Sequence, residues 1–459
     1  MKTIKLRAII VYLLALAFFG GLLFFFISML KQADEWALQP INGHLSGEEL
    51  AHAGKILDRN GEILAYSENE KRLYAQDAGV RTAILHTVGD GSVNITTSIQ
   101  NQFLPELFGY QLITGLGAPS FLNTTKDIHL TLDSEICQIA SEALGAYKGT
   151  VVVYNHKTGE ILCQVSKPTY DPYNPPDFSA GDERYAGAYL NRSISSSFTP
   201  GSVFKIITSA AAIENIDDLY ERTFYCPGNI TVNGEKITCM EHHGAINFED
   251  GMAKSCNIVF ANLAMELGAE KMTQQAEKMG FNKAFSLDGA STLPSAYDVS
   301  GATEADLGWS GIGQYNDLVN PLHMLRIMGA IANDGVPVEP RRVDSIYSSF
   351  DKKSEKNKAV LGERLLTQDT AQKLQQVMRY TMRSQYGDSM FKGLTVCAKT
   401  GTAEIGDSKL PHAWMVGFST DEDCPLAFVV VVEESGFGYR KAGPIASRVM
   451  AALAGKLRG

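Results

Sequence analysis

The chain has 459 residues, of which 45% are hydrophobic and 20% charged. That balance excludes a disordered or fibrous chain and leaves a globular protein with core enough for two or three domains. The formal net charge of -10 at pH 7, with no long run of Lys or Arg, excludes nucleic acid as the expected partner, because a phosphate binder needs a basic face.

Residues 9–30 carry no charge and, at about 1.5 Å per residue, are long enough to cross a hydrocarbon layer of roughly 30 Å. They predict one membrane-spanning helix. Lys2, Lys5 and Arg7 precede it without an acid and Lys31, Asp34 and Glu35 follow. The positive-inside bias therefore puts residues 1–8 in the cytoplasm and everything after about residue 31 on the outer side of the cell membrane. A cleaved signal peptide is the competing reading, but the run exceeds a usual h-region and no small-x-small cleavage site follows it.

Lys55 to Leu64 reads as two short apolar strands around Asn60-Gly61, a strong hairpin signal. The hairpin opens a small β-containing juxtamembrane domain, 31–126, polar and interrupted by glycine. From Asp127 the pattern sharpens into a strand at 128–132, a helix over 134–146, and strands at 150–154 and 161–165 flanking Lys157-Thr158-Gly159. Pro168, Pro172, Pro175 and Pro176 impose an extended loop, after which helices are expected over 202–215, 252–267 and 321–333. Strand signals at 394–402, 413–419 and 426–433 and a helix over 443–456 close the chain. Strands at both ends of 127–459 with helices between them predict an α+β domain, one antiparallel sheet assembled from its two ends and flanked by helices.

Seven cysteines are an odd number, so at least one is unpaired or pairs with another molecule. Cys226 and Cys239 form the candidate disulfide, since Pro227-Gly228 and Asn233-Gly234 fold the intervening stretch back on itself. Free buried thiols remain the alternative. Cys239 with His242 and His243 hints at a metal, but no second ligand pair stands near them in the sequence, and no metal is expected.

Ser202-Val-Phe-Lys205 is a Ser-x-x-Lys, and on a helix that spacing puts hydroxyl and amine on one face. The pair alone is weak, because such pairs arise by chance. Pro200-Gly201 ahead of it supplies a helix start, and Val203, Phe204, Ile206, Ile207, Ala210, Ala211 and Ile213 make the helix apolar almost all round, so the lysine is expected to be buried. Desolvation disfavours its ammonium form, which suits a general base near neutral pH, while the helix N-terminus favours the alkoxide of Ser202. Ser255-Cys256-Asn257 offers a second hydroxyl and a carboxamide that can relay a proton and hydrogen-bond a substrate amide. Lys399-Thr400-Gly401-Thr402 ends a strand; Gly401 there lets another extended backbone approach while Lys399 and the two hydroxyls can hold a carboxylate.

The ordered set of Ser-x-x-Lys, Ser-x-Asn and Lys-Thr-Gly is a penicillin-recognising signature, and with it the chain resembles the class B penicillin-binding proteins from the anchor to the last helix. The resemblance rests on Phe198-Thr-Pro-Gly-Ser202-Val-Phe-Lys205, Lys254-Ser-Cys-Asn257, Gly311-Ile-Gly-Gln314 with Asn320-Pro321, Lys399-Thr-Gly-Thr-Ala-Glu404, Lys157-Thr-Gly-Glu-Ile-Leu162 and Ile56-Leu-Asp-Arg-Asn-Gly61. It implies the fold shared by serine transpeptidases and β-lactamases, and a peptidoglycan D,D-transpeptidase that β-lactams inhibit covalently. On this resemblance Ser202 attacks the penultimate D-alanine carbonyl of a stem peptide and Lys205 takes its proton. Ser255 passes a proton to the departing D-alanine, Asn257 orients the peptide, Lys399, Thr400 and Thr402 bind the terminal carboxylate, and the backbone amides of Ser202 and Thr402 form the oxyanion hole. No cofactor is implied. A polytopic glycan polymerase of the membrane is the expected partner.

The stretch between anchor and catalytic domain is shorter than in many such proteins, and Ala53-Gly54 stands where Arg-Gly often opens the Asp-Arg-Asn-Gly segment. Three other readings share parts of the pattern. A β-lactamase has the same fold but would need a Glu-x-x-Leu-Asn element between Ser255 and Lys399, which is missing; a D,D-carboxypeptidase would form the same acyl-enzyme and differ only in the acceptor. A catalytically silent wall-synthesis scaffold sits poorly with an intact set of catalytic groups.

Overall fold

A computed structural model of the protein describes residues 2–37, 49–92, 94–109, 125–348, 357–406 and 409–459; parts of the expected juxtamembrane domain, 38–48 and 110–124, lie outside these. A single helix, Lys2–Ala37, opens the chain, and its stretch Ile4–Ser28 has a mean hydropathy of 2.6 with none of it buried against the rest of the protein. Apolar side chains such as Leu13, Leu16 and Phe24 therefore face outward all round. In water that surface would have no partner, whereas lipid supplies one, and the helix reads as a membrane anchor.

Three short strands follow, β1 (Ile56–Leu57), β2 (Ile63–Glu68) and β3 (Lys71–Tyr74), then β4 (Lys126–Leu130) and the hairpin of β5 (Gly149–Asn155) and β6 (Ile161–Lys167). The helical middle of the chain carries small ribbons: β7 (Phe224–Cys226), β8 (Asn229–Val232), β9 (Glu235–Thr238) and β10 (Gly244–Ile246), then β11 (Ser286–Leu287) and β12 (Ala290–Ser291). The last strands are β13 (Val343–Ser348), β14 (Val396–Ala403), β15 (His412–Ser419) and β16 (Leu426–Val432).

Two five-stranded sheets organise the molecule. In the first, of order β13-β4-β1-β2-β3, the Asn60-Gly61 hairpin forms as the sequence predicts, with Ile56 opposite Ala65. The boundary expected at residue 126 falls on the first residue of β4, which pairs parallel to β1 and antiparallel to β13. The juxtamembrane sheet thus takes strands from either side of that boundary. Asp58 ties it to helix Ser134–Leu144, since its carboxylate accepts from the Ser134 hydroxyl at 2.8 Å and the Ser134 amide at 3.2 Å.

The second sheet, β14-β15-β16-β5-β6, is antiparallel throughout. Its strands come from both ends of the domain, as expected, with Val151 opposite Val430. Val151 to Val153 and Val429 to Val432 are all buried, the near-continuous apolar run of strands covered on both faces. Helices Ser134–Leu144 and Gly438–Arg458 pack together on one face and helix Pro321–Ala332 on the other.

Three helices depart from the sequence expectation: the one expected over 202–215 starts at Lys205, with Ser202 on a 3₁₀ turn ahead of it. The last begins at Gly438, not 443, because its first turn is already seated against the backbone of β14 and β15 at Gly401 and Trp414; Pro444 lies inside it instead of opening it. The helix expected over 252–267 is two, Phe248–Ala253 and Asn257–Lys278, the latter broken at Gly268 just past the expected end. Between them Ser255 takes a left-handed φ of 55°. Ser255 N–H donates to Met252 O at 3.1 Å and Cys256 N–H to Gly251 O at 2.8 Å, the paired bonds of a Schellman stop with serine where glycine is usual.

Candidate active site

Ser202 lies on a 3₁₀ turn, Gly201–Val203, immediately ahead of helix Lys205–Asn215, so the hydroxyl stands at the helix entrance and the lysine in its first turn. The turn is pressed against β14. A Cβ on Gly201, whose φ is +52°, would come within 2.5 Å of the Thr402 carbonyl, and one on Gly401 within 2.7 Å of the Pro200 carbonyl. Only glycine at both positions lets the two backbones approach this closely. Trp414 Nε1 donates to Thr199 O at 3.0 Å and fixes the chain that leads into the turn.

Lys205 is fully buried. Its Nζ lies 3.1 Å from Ser202 Oγ, 2.7 Å from Ser255 O, 3.2 Å from Ser255 Oγ and 2.7 Å from Asn257 Oδ1. Burial lowers its pKa to about 7, opposed in part by Cys256 and Cys239. A neutral amine has two N–H bonds and one lone pair. Two oxygens that can only accept, Ser255 O and Asn257 Oδ1, take both N–H bonds at the shortest distances, which leaves the lone pair for the Ser202 hydroxyl.

Lys399, on β14 and also fully buried, donates to Ser255 Oγ at 3.0 Å and to Thr400 O at 2.9 Å. Burial, and then the neighbouring Lys205, hold its pKa well below the usual lysine value. Ser255 Oγ therefore bridges the two amines, and the left-handed backbone of the Schellman stop is what aims it there. Thr400 is held by Tyr386, whose hydroxyl accepts from Thr400 N at 3.2 Å and shares a hydrogen bond of 2.8 Å with Thr400 Oγ1. Thr402 Oγ1 accepts from Gly438 N at 3.3 Å, so its own hydrogen is free to donate into the cleft. Asn257 Nδ2 donates to Thr238 O at 2.8 Å.

These groups open on a cleft of about 220 Å³ lined by Ser202, Thr238, Lys254, Ser255, Asn257, Trp309, Gln314, Thr400, Thr402, Glu404 and Phe437, among others. A larger hollow of about 650 Å³ lies beside helix Gln368–Thr381, where Arg379 is paired with Asp388. Of the eight residues singled out in the sequence, Ser202, Ser255, Asn257, Thr400 and Thr402 line the smaller cleft, and Lys205, Lys399 and Gly401 stand buried directly behind them. Tyr386 and Thr238 had no local signal; each comes from a segment distant in sequence and matters only through the contact it makes.

The candidate disulfide is not made. Cys226 and Cys239 are free thiols, because the folded-back ribbon brings them up to Cys256 and His243 instead of to each other alone. The sequence had placed no further ligand-type residues beside Cys239 and His243; the fold brings Cys226 and Cys256 to them. His242, named beside His243, turns away and meets Tyr225 edge to face.

The model of the penicillin binding protein transpeptidase domain matches residues 149–451. The peptidoglycan D,D-transpeptidase PbpA of Mycolicibacterium smegmatis is 26% identical over 93% of this chain and 94% of its own. PbpA of Mycobacterium tuberculosis is 29% identical over 72% of this chain and 73% of its own. A solved structure of penicillin-binding protein A from M. tuberculosis, an imipenem acyl-enzyme complex, superposes with a TM-score of 0.76 at 25% identity and covers 89% of this chain and 100% of that one.

Proposed function

This chain belongs to the penicillin-binding protein transpeptidase family, and from that premise we propose that it is a peptidoglycan D,D-transpeptidase that works through an acyl-enzyme on Ser202. The observation that carries the reading is the buried Lys205 amine at 3.1 Å from Ser202 Oγ with both its N–H bonds directed elsewhere.

In this reading Ser202 Oγ forms a bond to the penultimate D-alanine carbonyl carbon as its proton passes to Lys205 Nζ. The backbone amides of Ser202 and Thr402 receive the oxyanion. When the carbon–nitrogen bond to the terminal D-alanine breaks, the leaving amine takes a proton from Ser255 Oγ, which Lys205 replenishes. An acceptor amine then attacks the ester and returns the proton to Ser202. The donor peptide lies along β14, an edge strand of its sheet, adding to it by main-chain hydrogen bonds. Asn257 Nδ2 faces Thr238 and orients the stem peptide from the opposite wall.

The terminal carboxylate is received by the hydroxyls of Thr400 and Thr402, which line the cleft. Lys399 acts from behind them: fully buried and donating a hydrogen bond to Ser255 Oγ, it holds that hydroxyl in place for the relay. The anchor helix places the catalytic domain outside the cell membrane with the N-terminus in the cytoplasm, and a polytopic glycan polymerase docks on that helix and the first sheet. Crosslinking in membranes that returned only self-contacts would count against this partner.

The test of the chemistry is intact-mass analysis of the full chain in detergent after exposure to penicillin, beside Ser202→Ala. A stable adduct of one drug molecule, absent from the variant, is expected. Consumption of the drug without an adduct would make the protein a β-lactamase, and intact drug without an adduct would leave a silent scaffold.

A further inference from the structure

A second site lies against the first. Cys226 ends β7, Cys239 follows β9, His243 precedes β10, and Cys256 stands between Ser255 and Asn257 at the head of helix Asn257–Lys278. Their three sulfurs and one ring nitrogen all lie within 4.8 Å of one another, Cys226 and Cys256 buried and the other two half-buried. Cys239 Sγ is 3.5 Å from His243 Nδ1 and 3.9 Å from Cys256 Sγ. A tetrahedron with metal–sulfur bonds of about 2.3 Å and a metal–nitrogen bond of about 2.0 Å has edges of about 3.8 Å between sulfurs and about 3.5 Å between sulfur and nitrogen. A disulfide would need about 2.0 Å.

We propose that Cys226, Cys239, His243 and Cys256 bind one structural zinc ion. The donor set and spacing are those of a closed Cys₃His site, with all four positions taken by protein, so the ion holds the chain together and does no chemistry. Binding displaces three thiol protons and leaves a site of net charge −1. One supporting bond is already in place, since Asn257 N–H donates to Cys239 Sγ at 3.3 Å, the kind of outer contact that orients a thiolate ligand. The Cys226 thiol is directed to Glu241 O at 3.6 Å, a bond it gives up on becoming a thiolate.

The placement of Cys256 gives the site its consequence. The residues on either side of it are the hydroxyl and the carboxamide that contact Lys205, and Thr238, which holds Asn257, directly precedes another ligand. A zinc ion here clamps the β7–β10 ribbon to the turn that carries Ser255 and Asn257, so the ligands are positioning residues for the transpeptidase site. This second claim rests on the function proposed above; the metal assignment does not.

The experiment is elemental analysis of the full chain purified in detergent without added metal, followed by removal of the metal with a chelator and reconstitution with Co²⁺. About one zinc per chain is expected, with a thiolate-to-cobalt charge-transfer band on reconstitution, and loss of the metal in Cys239→Ser and Cys256→Ser but not in Cys424→Ser. Acylation by penicillin should slow at least roughly tenfold on chelation, as displacement of catalytic groups by an ångström does, and recover with zinc. Zinc bound without any effect of its removal on acylation would overturn the positioning role alone. A wild-type chain with neither zinc nor a cobalt band, a Cys226–Cys239 disulfide found by peptide mapping, or iron in place of zinc would overturn the site itself, whether or not the variants fold.

Discussion

Lys205 sets the pH dependence of the chemistry at the scale of single residues. With its pKa lowered to about 7, it is protonated and without a lone pair below that pH and free to accept the Ser202 proton above it. Acylation by penicillin should therefore rise about tenfold per unit as pH climbs from 5 to 7 and then level off; a rate flat across that window, measured by stopped-flow or mass, would remove Lys205 as the base. The charged and titratable groups facing it are Lys399, which shares Ser255 Oγ, and Cys239 and Cys256. Lys205→Arg should abolish acylation, since a guanidinium stays charged at any working pH. Ser255 allows a sharper separation. Ser255→Gly relieves a left-handed serine and should melt later than Ser255→Ala by about 1 kcal/mol of stability, yet both lose the bridging hydroxyl and should acylate at least roughly a hundredfold more slowly. If Ser255→Gly kept the wild-type rate, the hydroxyl would have no part in proton transfer. These residues were legible in the sequence because each pair is local, three or two positions apart. Tyr386, Thr238 and Cys226 were not, since what makes them matter is a neighbour that only the fold supplies.

Elements were legible where apolar periodicity was backed by turn chemistry, as in the β5–β6 hairpin, and less so where tertiary contact sets the boundary. The broken helix at Ser255 and the early start at Gly438 are both of that kind: nothing in Met252 to Leu267 announces a stop, and the start at Gly438 is set by its contact with Gly401 and Trp414. Packing of helix on sheet leads to a further prediction. Helix Pro321–Ala332 crosses β5 so closely that a Cβ on Gly329 would lie 1.4 Å from the Tyr154 hydroxyl. Gly329→Ala should cost about 3 kcal/mol or fail to fold, because the ring is fully buried and cannot step aside. The Tyr154 hydroxyl itself has no hydrogen-bond partner among the described residues. Tyr154→Phe should therefore be neutral or slightly stabilising in thermal melts, and a clear loss would mean that the hydroxyl has a partner, such as a buried water.

For the molecule as a whole, the two sheets behave as one body, because β4 and β13 belong to the first and their neighbours in sequence to the catalytic half. Asp58 sits at the junction, buried, and accepts from Asn60 N, Glu62 N and Ser134. Asp58→Ala should destabilise the whole chain by about 2–3 kcal/mol, read as a single cooperative transition in which drug-binding capacity and secondary structure are lost together. Two separated transitions would show that the sheets melt independently. The sequence carried the Asp-Arg-Asn-Gly segment but not its bond to Ser134, which only the sheet brings into reach.

The catalytic sheet joins β5 to β16, so Val151 waits for Val430. A chain made from its N-terminus presents Ser202 and Lys205 long before the strand that completes their support. Until Leu426 and the residues after it have been made, the β5 edge of the β5–β6 hairpin is open and there is no helix Gly438–Arg458 to cover it. This is a high-contact-order arrangement in which loop closure comes late, and it folds slowly with an exposed apolar edge. Competence to bind drug should consequently be all or none with respect to how much of the chain has been made, and the nascent chain should need protection of that edge more than a chain of local contacts would.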